Sequence, residues 1–213
     1  MLSFFENREQ AGRRLAELLI EYRRSDSVII GIPRHGIPVA AAAAHELGLE
    51  WSFIVTQKLP IPSNPDAGFG AMAEDGTIAL NREMLKGLQM TQKQIDSVVD
   101  TVRAEIAHRE AIYSQAREPL NVLGKRVFVV DDGMSSGYTM NAAIKSLRNH
   151  NPASIIASTP VASRSAAALI SKAADQCVIE IISPAVPFAI SDFYITRRVL
   201  TDEDILPILK SKS

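Results

Sequence analysis

Short apolar runs rich in β-branched residues alternate with helical faces along most of this chain, and that alternation limits the fold more than any other feature. Ser27-Val28-Ile29-Ile30-Gly31-Ile32 is a compact apolar run of the kind a strand buried on both faces gives. Comparable runs lie at residues 51–55, 126–130, 153–158 and 177–182. Residues 12–22 place Leu15, Leu18, Leu19 and Tyr22 at helical spacing, and residues 138–149 do the same with Met140, Ala143, Ile144 and Leu147. Pro38 suits the first turn of a helix reaching Leu47, and Gly48 supplies its stop. Ser163 is placed to cap a helix reaching Ala174, and Thr201 with Asp204 to cap a short terminal one. The order is βαβ, an interruption, then βαβαβ. It predicts an α/β, doubly wound, mainly parallel sheet covered by helices on both faces. Ligands of such sheets bind beyond the C-terminal strand ends, at the switch point. The segments starting at Pro33, Lys58 and Asp131 are therefore expected to face one cleft.

The interruption reads differently. Residues 58–70 are rich in Pro, Gly, Ser and Asn and are expected to be loop. Asp75-Gly76 reads as a tight turn between strands at residues 70–74 and 77–80. Thr91 and Gln94 have capping-box spacing, followed by an apolar stripe of Ile95, Val98, Val99, Val102 and Ile106. No repeat or linker divides the chain, so residues 1–213 are expected to form one domain with an insertion over about 60–118.

Composition removes several function classes. A formal net charge of −1 gives no electrostatic footprint for nucleic acid or an anionic membrane, so neither is an expected partner. Cys177 is the single cysteine, which excludes an internal disulfide and a cysteine metal cluster. The N-terminal residues lack the order of a secretory signal and no apolar run reaches membrane-spanning length, so a cytoplasmic location is expected.

The chemistry is concentrated in Arg126-Val127-Phe128-Val129-Val130-Asp131-Asp132-Gly133-Met134-Ser135-Ser136-Gly137-Tyr138-Thr139. This reads as a strand, two carboxylates, a loop of small residues and a helix. Gly133 and Gly137 let the backbone turn its N–H groups inward. Those donors and the helix N-terminus make an anion pocket, to which Ser135, Ser136 and Thr139 add hydroxyls. Two aspartates beside a bare phosphate would repel it. They make sense if they accept from sugar hydroxyls or face a divalent cation through water. A phosphosugar carries both kinds of group.

The segment resembles the phosphoribosyl-diphosphate (PRPP) motif of type I phosphoribosyltransferases: an apolar strand, two acids, a four-residue stretch and Gly-x-Thr. Asp131, Asp132, Gly137 and Thr139 fall in register. Pro33-Arg34-His35-Gly36 resembles the family's pyrophosphate loop, and Gln57-Lys58-Leu59-Pro60 an Arg-Lys-Leu-Pro element of a branch with unassigned substrate. The likeness extends through Asn64-Pro65-Asp66, Glu74-Asp75-Gly76, Pro187-Phe188 and Tyr194.

The resemblance implies transfer of a phosphoribosyl group between PRPP and a nitrogenous acceptor, with magnesium, in a homodimer. Asp131 and Asp132 would meet ribose hydroxyls and metal-bound water. Gly133, Met134, Ser135, Ser136, Gly137, Tyr138 and Thr139 would cradle the 5′-phosphate. Arg34, His35, Gly36 and Lys58 would meet pyrophosphate. Serine at 135 stands where purine-salvage members often carry an acid, which leaves the acceptor open. A hood over about residues 183–213, with Phe188, Phe193 and Tyr194, would either stack on the acceptor or pack a small core.

Two departures support a rival reading. His35 replaces a second glycine and Gln57 an arginine, so the chain could bind PRPP or a nucleotide as a regulator without turnover. Gly133-Met134-Ser135-Ser136-Gly137 also fits a hydrolase nucleophile elbow, but His150 is the only histidine after Ser135. His45, His108, Arg103 and Arg109 read as solvated helix positions, and Glu74-Asp75 as a solvated turn.

Overall fold

The computed structural model describes residues 4–116 and 121–211. Residues 1–3 and the end of the expected insertion lie outside the described residues. In chain order come α1 (Arg8–Leu18), β1 (Ser27–Gly31), α2 (Gly36–Leu47), β2 (Glu50–Phe53), β3 (Thr56–Ile61), β4 (Asn64–Ala73) and β5 (Ile78–Leu80). Then follow α3 (Arg82–Leu88), α4 (Gln92–Tyr113), β6 (Arg126–Val130), α5 (Tyr138–Arg148), β7 (Ser154–Ser163), α6 (Arg164–Ile170), β8 (Gln176–Ser183) and α7 (Asp202–Lys210).

Five strands form a parallel sheet in the order β2-β1-β6-β7-β8. The chain leaves β1 for β2 on one side and takes up β6 on the other. The switch point therefore lies between β1 and β6. Past their first residues, Ser27 and Arg126, both strands are apolar because both faces are covered. Val28, Ile30, Val127 and Val129 meet Met140, Ala143, Ile144 and Leu147 of α5 on one face. Ile29, Phe128 and Val130 meet Leu15 and Leu19, with Val39, Ala40 and Ala43 of α2, on the other. Gly12 lets α1 lie against α2: a Cβ there would sit 2.4 Å from the Val39 carbonyl oxygen.

The interruption holds a second sheet, antiparallel, in the order β3-β4-β5. This corrects the loop expected at residues 58–70. Leu59, Ile61 and Phe69 are buried, and the register shifts around Pro60. Proline is tolerated because β3 is an edge strand and Pro60 lies at that irregularity. The Asp75-Gly76 turn joins β4 to β5 as expected, with Gly76 at φ 83°. Thr91 and Gln94 form the capping box of α4, whose Val102, Ile106 and Tyr113 are buried with Ile205 and Leu209 of α7.

Several boundaries move. Asn7 caps α1 by accepting from the Gln10 N–H, so that helix starts before residue 12. Leu18 is 47% exposed because it lies off the buried face of α1, which Ala11, Gly12, Leu15 and Ala16 form. α3, capped by Asn81, was not legible in the sequence. β7 runs past Ser158 to Ser163, since β8 and an isolated bridge to Met134 pair it beyond the end of β6. α6 is capped by Ser163 but ends at Ile170. Among the described residues no helix is long and apolar enough to cross a membrane.

Candidate functional site

The loops after β1 and β6 meet at the switch point. The Ile32 N–H donates to the Val130 carbonyl, which ties their roots together. The Pro33–Arg34 peptide is cis although residue 35 carries a side chain. Gly36 opens α2 directly against the acidic loop. A Cβ there would lie 2.9 Å from both Asp131 Cα and the Val130 oxygen, so glycine is required. Gly137, at φ 81°, sits at the N-cap of α5, and no side chain caps that helix. Its first amides have no intrahelical acceptor and carry the positive end of the helix dipole.

A cleft of about 510 Å³ opens here. Arg34, His35, Lys58, Asp131, Asp132, Gly133, Met134, Ser135, Ser136, Gly137 and Thr139 line it. Gly36 does not line it and its N–H donates to the Ile32 carbonyl, so the contact to pyrophosphate expected there is not available: the backbone has turned into the start of α2. The Tyr138 side chain turns instead to Ala71, Ala79 and Ala142. Asp66, Met84, Met140 and Ile190 also line the cleft and were not singled out as site residues in the sequence.

The two aspartates are held differently. Asp131 accepts from the Asp132 N–H at 2.8 Å through Oδ1. Burial, and next the neighbouring charge of Asp132, push its carboxyl well above the usual carboxylate range. Asp132 accepts from Arg8 Nε at 2.9 Å through Oδ2, and both side chains are less than a tenth exposed. Arg8 also donates to the Arg198 carbonyl at 3.2 Å and lies over the Tyr194 ring at 5.1 Å. The Tyr194 hydroxyl donates to the Asp132 carbonyl at 2.7 Å. β7 straps the rest of the loop: Met134 N–H donates to Val161, Ser163 N–H donates to Met134, and the Ser163 hydroxyl donates to Ser135 at 2.6 Å. Arg8 escapes sequence reasoning because its partner lies 124 positions away.

Two further cleft residues, His35 and Lys58, are also engaged. His35 Nε2 accepts from the Leu200 N–H at 3.0 Å. Burial holds its pKa below 6.5; Arg8 and Arg34 act in the same direction and Asp132 against it. Lys58 Nζ donates to the Pro65 and Asp66 carbonyls at 2.7 and 2.8 Å, closing the β3–β4 hairpin on itself. Gln57, on the opposite face of β3, turns to α4, accepts from Arg109 at 2.9 Å and donates to Glu105 at 3.2 Å. It does not line the cleft.

Residues 3–193 match the family model described as "Phosphoribosyl transferase domain". The chain belongs to that family. The structure of TT1426 from Thermus thermophilus superposes with a TM-score of 0.81 at 29% identity, over 100% of both chains. AQ2163 from Aquifex aeolicus shares the fold, with a TM-score of 0.52 at 12% identity over 83% of this chain and 74% of that one. A "putative phosphoribosyl transferase" of Mycobacterium tuberculosis is 29% identical over 208 residues, 98% of this chain and 47% of the relative. The chain thus spans about half the length of the curated relatives it matches.

Other candidates of this phosphoribosyltransferase-family chain fall away from the cleft. Phe193 and Tyr194 are buried with Phe5, Ala11 and Val161, and Phe188 packs on Phe193 at 5.5 Å. These aromatics make a satellite core because the hood folds back on the N-terminus: the Phe4 and Phe5 N–H groups donate to the Phe193 carbonyl. Ile190 faces the cleft instead and leaves no room for a Cβ on Gly133, which would meet it at 2.7 Å. His45 and His108 are exposed. Glu74 accepts from the Val55 N–H, and Asp75 from Thr77, as turn residues. His150 follows the far end of α5, about 16 Å along the helix from the loop, which removes the hydrolase arrangement.

Among the described residues no three His, Cys, Asp or Glu side chains converge as a metal cage. Asp131 and Asp132, with one oxygen of Asp132 already taken by Arg8, fit a divalent cation only as a hydrated ion contacted through its waters.

Proposed function

We propose that the protein transfers the phosphoribosyl group of PRPP to a nitrogen acceptor and releases pyrophosphate. One observation carries this reading: the uncapped amides at the start of α5 and the carboxylates of Asp131 and Asp132 line the same cleft. Donors for a phosphate and acceptors for hydroxyls lie a few residues apart, as one phosphosugar requires.

In this reading the backbone of Gly133, Ser135, Ser136, Gly137 and Tyr138, with the hydroxyls of Ser135, Ser136 and Thr139, holds the 5′-phosphate; the Met134 N–H is already donated to Val161. Asp131 and Asp132 accept from the ribose hydroxyls. Arg34, the backbone of His35 and the remaining donor of Lys58 face pyrophosphate, while the Gly36 N–H is donated to the Ile32 carbonyl. Arginine suits a bidentate contact and lysine a point-charge contact. Magnesium held by the two aspartates through water would neutralise charge on the leaving diphosphate. The acceptor nitrogen attacks the anomeric carbon as the bond to pyrophosphate breaks, and the electron pair leaves with pyrophosphate. The side chains orient both partners and stabilise charge, so no protein nucleophile is needed. Ser135 offers no carboxylate for a base proton, so that proton leaves to another group or to water. Pairing into a homodimer belongs to the same reading, and sedimentation would test it.

A PRPP sensor without turnover is the second reading. It is favoured by the commitment of Asp132 Oδ2 and two Lys58 hydrogens to protein partners. One experiment separates the two. Labelled PRPP is incubated with magnesium, the protein and a mixture of nucleobases and amines. Labelled nucleotide and pyrophosphate are expected. Magnesium-dependent PRPP binding without product supports the sensor, and absence of binding rejects both.

A further inference from the structure

Arg8 belongs to neither cleft loop, yet it makes the closest side-chain contact to the acidic pair. Its guanidinium is buried, it donates to Asp132 Oδ2 at 2.9 Å, and it is braced by the Arg198 carbonyl at 3.2 Å and the Tyr194 ring at 5.1 Å. Tyr194 holds the same aspartate by its carbonyl at 2.7 Å. The N-terminal helix and the C-terminal segment therefore converge on one carboxylate of the cleft. An aspartate carboxylate otherwise rotates freely about its last torsion. With Oδ2 engaged by Arg8, the orientation of the Asp132 carboxyl is set where it lines the cleft. Asp131, whose Oδ1 is held by the Asp132 N–H at 2.8 Å, lines the cleft beside it. Two adjacent carboxyls of fixed orientation suit two adjacent hydroxyls.

We infer that Arg8 is a positioning residue, which acts through Asp132 to aim the acceptor that grips a vicinal diol of the sugar phosphate. The inference rests on the phosphoribosyl reading above. Arg8 touches no substrate itself. Its effect is confined to ligands that carry the diol, whereas inorganic phosphate at the start of α5 is indifferent to it. Lysine at this position keeps the charge, but its single nitrogen cannot reproduce a fork that meets Asp132 and Arg198 together.

Calorimetric titration of PRPP with magnesium, and separately of inorganic phosphate, into wild type and Arg8→Lys tests this. The expected result is a loss of about tenfold in PRPP affinity with phosphate affinity unchanged. Unchanged PRPP affinity, or equal losses for both probes, overturns the assignment, since general damage to the fold weakens both. Should Arg8→Lys fail to fold, Asp132→Asn and Arg8→Gln/Asp132→Asn carry the test. Removing Arg8 is expected to cost no further PRPP affinity once Asp132 is asparagine, and an additional loss overturns the inference. Wild-type protein that binds phosphate but not PRPP overturns the phosphoribosyl reading, and the inference with it.

Discussion

The loop after β6 and the β3–β4 hairpin form opposite walls of the same cleft and are built in opposite ways. The loop is fixed from a distance. Arg8, Tyr194, Val161, Ser163 and Ile190 reach it from the N-terminal helix, β7 and the C-terminal segment. The hairpin is anchored in the core by Leu59 and Phe69, but its lysine is held locally, with Lys58 bonded to the Pro65 and Asp66 carbonyls at the start of β4. The acidic pair is thus preorganised by the whole fold, while the lysine is held by its own hairpin. Preorganisation matters where charge must be met without rearrangement. Substitutions that touch the loop should propagate, and substitutions on the hairpin should stay local.

Arg8→Met should show the largest effect on stability. It leaves a buried carboxylate without its partner, which costs on the order of 3 kcal/mol. A fall of roughly 6–12 °C in melting temperature is expected for a chain of this size. A change within error would make the distant bracing irrelevant. Gly36→Ala comes next. Its Cβ would lie 2.9 Å from backbone atoms of Asp131 and Val130, which must move. A loss of about 1–3 kcal/mol is expected, with weakened PRPP binding in the same protein. Normal binding would show that the acidic loop tolerates displacement.

Asp131→Asn sharpens the comparison through pH. The folded protein raises this carboxyl above its unfolded value, so the folded state binds the proton more tightly. Its stabilising contribution is present below the ordinary carboxylate range and is lost as pH rises through the raised value. The ligand-free Asn variant should therefore be more stable than wild type at neutral pH, with the difference vanishing in acid. Denaturant melts across pH read this, and parallel curves would contradict it. Gln57→Arg should do least. The side chain faces α4 beside Arg109, away from the cleft, so PRPP affinity should change less than about twofold. A larger change in titration would mean that the α4-facing side of β3 is coupled to the cleft.

What was legible in the sequence followed from locality. β1 and β6 were readable because burial on both faces leaves only apolar residues after their first positions, Ser27 and Arg126. The acidic pair, Gly137 and Thr139 were readable because a strand, a turn and a helix start within one short stretch. β3 and the first half of β4 were hidden because Pro60, Pro65 and Gly68 carry loop composition. Pro60 lies on the edge strand β3 at an irregular register, Pro65 and Gly68 lie in the part of β4 not paired with β5, and Gly68 is needed where Lys58 crosses it, a Cβ there lying 2.4 Å from Lys58 Cγ. Arg8 and Ile190 were hidden because their partners, Asp132 and Gly133, are remote in the chain. The hood aromatics could be read as ligand platform or as core, and their packing on Phe5 decides for core.

Calorimetric titration of PRPP and magnesium into wild type and into Asp131→Asn/Asp132→Asn measures the central claim most directly. Removing two charge-assisted contacts of about 1.5–3 kcal/mol each should weaken binding by roughly a hundredfold or more. Equal affinity in the two proteins would contradict the account.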